Sequence, residues 1–451
     1  MAILATVAHE LGLHHLTNSY SNRDVALILV SRFVRLVGFG AFAPVLILFL
    51  RSVDIPDERV GLFLSATLAG DVLVSLFVTW SADSLGRRNM LALGSLLMAV
   101  SGLVFYYSDN FVYLLLAAIV GIISPSGNET GPFSALEQAA LSQLTEPAGR
   151  VALLMWYQVL GFFGISAGNV LTNVLVSTAE RAGKTTSEAF RTVFLAYAVI
   201  AAVKLVLSLV MTRNIEVDHP PFVVAPVEQP APTDSERQPL LGEQPQVRAD
   251  PLLPPEVTPV PPAFPLGRLV ALCLIFGLDS FASSLIPMSY ISYFLRSEFG
   301  APLALITRLF SVTSLIGCAS QLLAGSISKR LGIILTMVAT HMPAQIFTIG
   351  LGLAPSLPLA LTFFVCRACI ASMDSSVRGA FLAAVIPKSS RTRFLGVINI
   401  CKTLASTPGP TLALGLAAIG GMRWTFVIAG AIKLLYDVAL FVGFKAAKLE
   451  H

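Results

Sequence analysis

The chain has 451 residues, of which 55% are hydrophobic and only 12% charged, with a formal net charge of +4. A soluble domain of this length carries about twice that charged fraction, so this composition and a mean hydropathy of +0.77 exclude a water-soluble domain. The small positive balance is loop bias around membrane spans and excludes a nucleic-acid surface.

Residues 1–24 are too polar for a cleavable signal peptide, and the first span itself would direct insertion. His9-Glu10 with His14 and His15 misses the His-Glu-x-x-His spacing by one position, so no zinc chemistry and no metal site are expected. Apolar runs then follow at 25–50, 58–80, 89–108, 111–143, 150–176, 188–212, 266–293, 302–324, 332–354, 357–386, 393–419 and 423–445. They are long and do not alternate, and lipid offers the backbone no hydrogen-bond partner, so they read as twelve transmembrane helices. Between the sixth and seventh lies 213–265, rich in Pro, Glu, Gln and Asp, which reads as a disordered linker. The domains expected are thus an N-terminal segment (1–24), a six-helix bundle (25–212), the linker (213–265), a second bundle (266–445) and a tail (446–451).

The halves repeat. Lys204 of the sixth span aligns with Lys433 of the twelfth, and the first and seventh spans end Leu-Phe-Leu-Arg51 and Tyr-Phe-Leu-Arg296. Parallel repeats of this kind suit two bundles that rock against each other. Lys and Arg concentrate at one set of turns, among them Arg87, Arg88, Arg150, Lys329, Arg330, Lys388 and Arg391. The expectation is that these turns, both termini and the linker are cytoplasmic. The five cysteines fall in or at the ends of second-half spans, which argues for packing rather than a disulfide framework.

Ionisable residues within spans cost ~2.5–3.5 kcal/mol each on insertion scales, so each needs a reason. They include Arg32 and Arg35 in the first span, Asp71 in the second, Glu129 in the fourth, Asp279 in the seventh, and Arg367, Asp374 and Arg378 in the tenth. Spacings of seven and four place the last three on one helical face; the alternative to a solute or proton role is pairing within the membrane, for example of Asp374 with Arg378. Lys433 is expected to pair with Asp437 four residues on, with Lys204, Lys433 and His341 structural. The fourth span is interrupted by Ser124-Pro-Ser-Gly-Asn128-Glu129-Thr-Gly-Pro132, whose prolines and glycines break a helix. Broken spans often hold transporter sites, so Asn128 and Glu129 are the expected core of a binding site. Glu129 is the leading proton-coupling carboxylate. Its alternative is a structural ion pair with Arg32 or Arg35.

Two turns carry the strongest motif. Residues 79–88 read Thr-Trp-Ser-Ala-Asp83-Ser-Leu-Gly86-Arg87-Arg88, and residues 325–332 read Gly-Ser-Ile-Ser-Lys329-Arg330-Leu-Gly332. The first resembles the Gly-x-x-x-Asp-x-x-Gly-Arg-Arg loop signature of the major facilitator superfamily, departing at Thr79. The second is a weaker copy. The resemblance implies an all-α membrane protein of twelve transmembrane helices in two pseudo-symmetric six-helix bundles, with spans one, four, seven and ten lining a central cavity. It puts Arg32, Arg35, Glu129, Asp279, Arg367 and Asp374 near the solute path. It also implies a cytoplasmic gate built from Asp83, Gly86, Arg87, Arg88, Lys329, Arg330 and Gly332, with Glu137 as the acid that pairs with Arg87 or Arg88. The family's antiporter signature is poorly met by Gly161-Phe-Phe-Gly164-Ile-Ser-Ala-Gly168, whose glycines permit close helix approach.

The function expected is transport of a small solute by alternating access, driven by protons, with neither enzyme activity nor a cofactor. The buried arginines favour an anionic or zwitterionic solute. Two alternatives stand beside it: proton-antiport export of drugs or metabolites, and a transporter-like receptor that binds without net transport. The expected partners are the solute, protons and the bilayer, with the protein a monomer that binds no nucleic acid. In the linker, Glu236-Arg-Gln-Pro-Leu240-Leu241 resembles an acidic dileucine sorting signal read by adaptor complexes. It favours a vacuolar or lysosomal membrane, with the plasma membrane as the competitor.

Overall fold

The computed structural model describes residues 19–121, 123, 132–146, 149–216, 265–386 and 391–444. The described residues form seventeen α-helices and one 3-10 turn. Seven spans are single helices: α3 (Asp57–Leu85), α4 (Arg87–Tyr107), α7 (Arg150–Arg181), α8 (Thr186–Val210), α11 (Leu303–Leu331), α12 (Ile333–Leu353) and α17 (Met422–Phe444). Five spans come in two pieces. These are the first, α1 (Asn22–Phe42) with α2 (Leu46–Ser52); the fourth, α5 (Phe111–Val120) with α6 (Pro132–Gln143); the seventh, α9 (Leu266–Leu285) with α10 (Met288–Phe299); the tenth, α13 (Leu357–Ala371) with α14 (Met373–Val385); and the eleventh, α15 (Arg391–Ser406) with α16 (Gly409–Ala418).

Proline explains three of the breaks. Pro44, Pro287 and Pro408 fall between the two pieces of spans one, seven and eleven, where each removes a backbone donor and clashes with the preceding turn. Span ten breaks at Ser372 without a proline. That interruption separates Arg367 from Asp374 and Arg378, so the single helical face expected for these three is divided.

The turns at Gly86 and Gly332 share one geometry. Each glycine ends one long helix and begins the next, at φ +86° and +81°, a region that L side chains rarely adopt. The two copies of the loop signature are therefore equivalent in backbone as well as in sequence.

Helix packing follows the same repeat. α1 packs on α7 and α8, and α4 on α8; correspondingly α9 packs on α15 and α17, and α12 on α17. Aromatic contacts repeat too: Phe49–Phe194 ring centroids lie 4.9 Å apart and Phe294–Phe426 4.5 Å apart. The halves meet where α3 packs on α16 and α7 on α11. Hydrogen bonds across this seam join Ser65 to Thr411 (2.7 Å), Ser166 to Ser311 (2.7 Å), and the Tyr293 hydroxyl to Asp57 (3.0 Å). All lie from mid-span toward the end opposite the basic turns.

Nine of the described helical segments are long and apolar enough to cross a membrane. Their outward residues include Leu73 and Leu274 (69% exposed) and Val442 (74%). A water-soluble surface would not carry so many large apolar side chains; here they face lipid.

Candidate functional site

Each half holds one buried carboxylate shared by two cations. In the first half, Glu137 on α6 is fully buried. It accepts hydrogen bonds from Arg35 Nη2 on α1 (3.1 Å), Lys204 Nζ on α8 (3.2 Å) and the Tyr157 hydroxyl on α7 (2.6 Å). Lys204 also donates to Ser31 Oγ (3.0 Å). Phe133, one turn from Glu137, sets its ring 4.5 Å from Lys204 Nζ. One turn before Arg35, Arg32 lies over the Tyr157 ring (4.4 Å) and donates to Gln158 Oε1 (3.1 Å). Gly161 leaves it room: a Cβ there would sit 3.1 Å from Arg32 Nε.

In the second half, Asp279 on α9 accepts from Arg378 Nη1 on α14 (2.7 Å) and from Lys433 Nζ on α17 (2.8 Å), and Lys433 also reaches Ser283 Oγ (2.7 Å). His341 on α12 bonds through Nδ1 to Asp437 Oδ1 on α17 (2.8 Å), while its Nε2 lies 3.8 Å from Asp279 Oδ1. The Arg378 guanidinium sits between the Phe276 and Tyr436 rings at 5.7 and 5.8 Å.

The clusters are pseudo-symmetric with their charges exchanged. The lysine keeps its place on spans six and twelve. The acid and the arginine trade places: arginine on span one and acid on span four in the first half, acid on span seven and arginine on span ten in the second. Three side chains from three helices converge each time, so one cluster ties spans one and four to span six and the other ties spans seven and ten to span twelve. Buried ions hold only when paired and hydrogen-bonded, which is the condition both carboxylates meet.

These pairings correct several sequence expectations. Glu137 is not the partner of Arg87 or Arg88; it belongs to the buried cluster with Arg35 and Lys204. The acid at the basic turn is Glu216. Its carboxylate accepts the Arg87 and Arg88 backbone N–H groups at 2.6 and 3.1 Å, capping the N-terminus of α4 where anionic groups are favoured. The Arg87 side chain donates to Gln143 Oε1 (2.8 Å) and the Ile215 carbonyl (3.1 Å), and Arg88 to the Met211 carbonyl (3.3 Å). The segment after span six thus opens with a 3-10 turn, Arg213–Ile215, docked on the basic turn and anchored by the Thr212 N–H to Asp24 (2.8 Å). Disorder expected from residue 213 does not begin there. Lys433 and Asp437 reach across to α9 and α12 because both point into the bundle, and His341 and the two lysines are members of buried charge clusters.

Other expected residues fall as follows. Asp71 is buried in α3, and Arg367 lies on α13. Its Nε is buried, and among the described residues the side chain has no hydrogen bond or ion pair. Arg330 is exposed at the second basic turn. Asp83, Lys329 and Asp374 fall on described helices, but their side chains lie outside the description, and Asn128, Glu129, Glu236, Leu240 and Leu241 lie outside the described residues. Sequence reasoning missed Tyr157, Glu216 and the roles of His341 and Lys204. The alignment of Lys204 with Lys433 was the available signal for the lysines.

Twelve spans in two repeats, with paired charges buried between them, define a multi-pass membrane carrier rather than an enzyme. A sequence model of the Major Facilitator Superfamily matches residues 28–373, and the chain belongs to that family. An uncharacterized membrane protein of Saccharomyces cerevisiae is 32% identical over 429 residues, covering 93% of this chain and 94% of the yeast protein. Among solved structures, a D-xylose–proton symporter superposes with a TM-score of 0.68 at 15% identity, covering 95% of this chain and 98% of its own. The human organic anion transporter MFSD10 superposes with a TM-score of 0.59 at 17% identity, covering 93% and 99%. The protein is an integral membrane transporter of small solutes.

Proposed function

We propose that the protein carries a small anionic or zwitterionic solute by alternating access, coupled to protons. The observation that carries the solute class is Arg367. Its Nε is buried without a hydrogen-bond partner among the described residues, while the side chain as a whole is half-buried. A guanidinium is a planar, bidentate ligand for carboxylate and phosphate, and a half-buried one gains from a counter-charge. An anionic solute supplies that counter-charge. Asn128 and Glu129 at the broken fourth span are proposed as further solute contacts. The relatives in this fold include a proton symporter and an organic anion transporter, so the architecture accommodates both activities.

The proposed orientation places the basic turns, the Glu216 cap and the linker in the cytoplasm, with the Tyr293–Asp57 bond toward the outer side. The Glu236–Leu240–Leu241 motif is then accessible to adaptor complexes, which favours a vacuolar or lysosomal membrane.

The test is uptake into proteoliposomes under an imposed pH gradient, with a panel of carboxylates, phosphate, amino acids and cationic drugs. An anion or zwitterion is expected to accumulate. Arg367→Gln is expected to lower that uptake about tenfold or more, the loss of one charge-assisted hydrogen bond of ~1.5–3 kcal/mol. Accumulation of cations alone, or unchanged uptake in the variant, would overturn the reading.

A further inference from the structure

We infer that a cavity on the seam of the two halves, at the end opposite the basic turns, binds a small zwitterion, with Arg296 taking its carboxylate and Glu180 its ammonium. The inference rests on the proposed transport reading and narrows its solute class to molecules that carry both charges.

The cavity has a volume of about 480 Å³, within the ~300–1,000 Å³ of small-molecule sites. Its walls come from different halves. Asn173, Ser177 and Glu180 stand on successive turns of one face of α7. Opposite them are Arg296 at the end of α10, and Pro302 and Leu303 where α11 begins. The Ser166–Ser311 bond (2.7 Å) joins α7 and α11 about two turns deeper, below the cavity. The exposed Glu180 opens it to water.

Two opposite charges line this one cavity without pairing. Among the described residues, neither the Arg296 guanidinium nor the Glu180 carboxylate has a hydrogen bond or an ion pair. Their separation exceeds ion-pair distance, which leaves room for a molecule between them. The other charges at this end are already matched: Glu298 holds Arg423 (2.9 Å), and Asp57 holds Arg51 (3.2 Å) and the Tyr293 hydroxyl (3.0 Å).

The repeat shows how Arg296 comes to be left over. Arg51 and Arg296 end equivalent spans. The acid that holds Arg51 is Asp57, the first residue of α3, just after Pro56. The first residue of α11, just after Pro302, is Leu303. Leucine therefore stands where the first half has the counter-ion. The seam differs in the same sense. Where α3 meets α16, a Cβ on Gly61 would lie 3.0 Å from Thr411 Cα. The equivalent meeting of α11 with α7 holds the cavity instead.

The chemistry of the two walls fixes the ligand class. A guanidinium matches a carboxylate through two parallel hydrogen bonds. Glu180 stands in the last turn of α7, where the helix dipole disfavours an anion, so a cation on it is a gain. Asn173 and Ser177 add an amide and a hydroxyl, and Leu303 adds apolar surface for an aliphatic substituent. A molecule with one charge satisfies one wall and leaves the other unmatched. A zwitterion satisfies both and thereby bridges the two halves, so its affinity depends on how the seam is arranged.

The test is protection of the cavity wall. The full-length protein with Ser177→Cys, in lipid nanodiscs, is treated with a water-soluble thiol reagent, and modification at position 177 alone is read by mass spectrometry. The probes are glycine, L-leucine and L-glutamate. Each is compared with its N-acetyl derivative, which lacks the ammonium, and its α-amide, which lacks the carboxylate. At least one of the three amino acids is expected to slow modification, with its blocked forms about tenfold or more weaker, the loss of one charge-assisted hydrogen bond. Adding Arg296→Gln or Glu180→Gln is expected to abolish the protection. Both side chains reach water, so neither change buries an unpaired charge. Adding Arg367→Gln is expected to leave the protection in place. No protection by any of the three, or equal protection by the blocked forms, overturns the inference. So does protection that survives Arg296→Gln and Glu180→Gln but is lost in Arg367→Gln, because the ligand then sits elsewhere. The two readings fail separately. Protection without uptake of any probe keeps the site and removes the transport reading, whereas uptake of an anion without an ammonium group, with no protection, does the reverse.

Discussion

Glu137→Gln lowers the stability of the purified protein by ~3–5 kcal/mol, whereas Lys204→Met changes it by about 1 kcal/mol or less. The asymmetry comes from the count of buried charges. Glu137 is the shared counter-ion of Arg35 and Lys204. Removing its charge leaves two cations buried against each other, and breaking a buried pair from one side costs ~3–5 kcal/mol. Removing the lysine leaves Arg35 with Glu137, a balanced pair that Tyr157 also supports. Methionine fills the space of the lysine stem with apolar surface and leaves no unpaired charge buried. Reversible unfolding in mixed micelles reads both numbers. Equal costs for the two variants would show that Glu137 is not the counter-ion the geometry makes it.

Gly168→Leu prevents the first and fifth spans from packing and abolishes accumulation of a monodisperse protein. A Cβ on Gly168 would lie 2.6 Å from the Ala41 nitrogen and closer still to the Val37 carbonyl oxygen, both backbone atoms of α1. Backbone cannot rotate away as a side chain can. Gly164 is similarly placed, with a Cβ 2.6 Å from the Phe33 carbonyl oxygen, and Gly40 returns the contact 2.7 Å from Ile165 Cα. The helices must separate, and overpacking of this kind costs ~1–3 kcal/mol or more. Separation also displaces Arg32 and Arg35 from Tyr157. The control is Gly443→Leu, where nothing lies within 4 Å of the added Cβ and wild-type behaviour is expected. Size-exclusion profiles of fluorescent fusions compare the two. A normal profile for Gly168→Leu would mean that α1 and α7 do not approach so closely.

The spans were legible because lipid enforces them: a helix of ~20 apolar residues is the simplest way to satisfy the backbone at that depth. The loop signature and the repeat were legible for a related reason. Gly86 and Gly332 need a positive φ, and the chain marks that need with glycine. The breaks in spans one, seven and eleven were marked by Pro44, Pro287 and Pro408, yet apolar composition on both sides hid them. The break at Ser372 left no mark.

The charged sites were legible as residues and not as partnerships. Arg35, Asp279 and Arg378 stand out because an ion within a span demands a reason. Their partners are set by which face of each helix turns inward, and spacing along one helix does not encode that. Lys433–Asp437 therefore looked like a local pair, although both residues reach into the bundle toward α9 and α12. Glu137 sits six residues before the end of its span, and position alone suggested a surface gate. The acid that caps the basic turn, Glu216, lay hidden in a stretch whose composition reads as linker.

Simultaneous recording of proton and solute movement in proteoliposomes tests the central claim most directly. The vesicles carry a pH dye, and each member of the anion panel is added against its own gradient with the proton gradient as the sole driving force. The account predicts accumulation of one anionic or zwitterionic class above its equilibrium level, with protons moving in the same direction. Accumulation with no proton movement, or movement of cationic compounds alone, would contradict it.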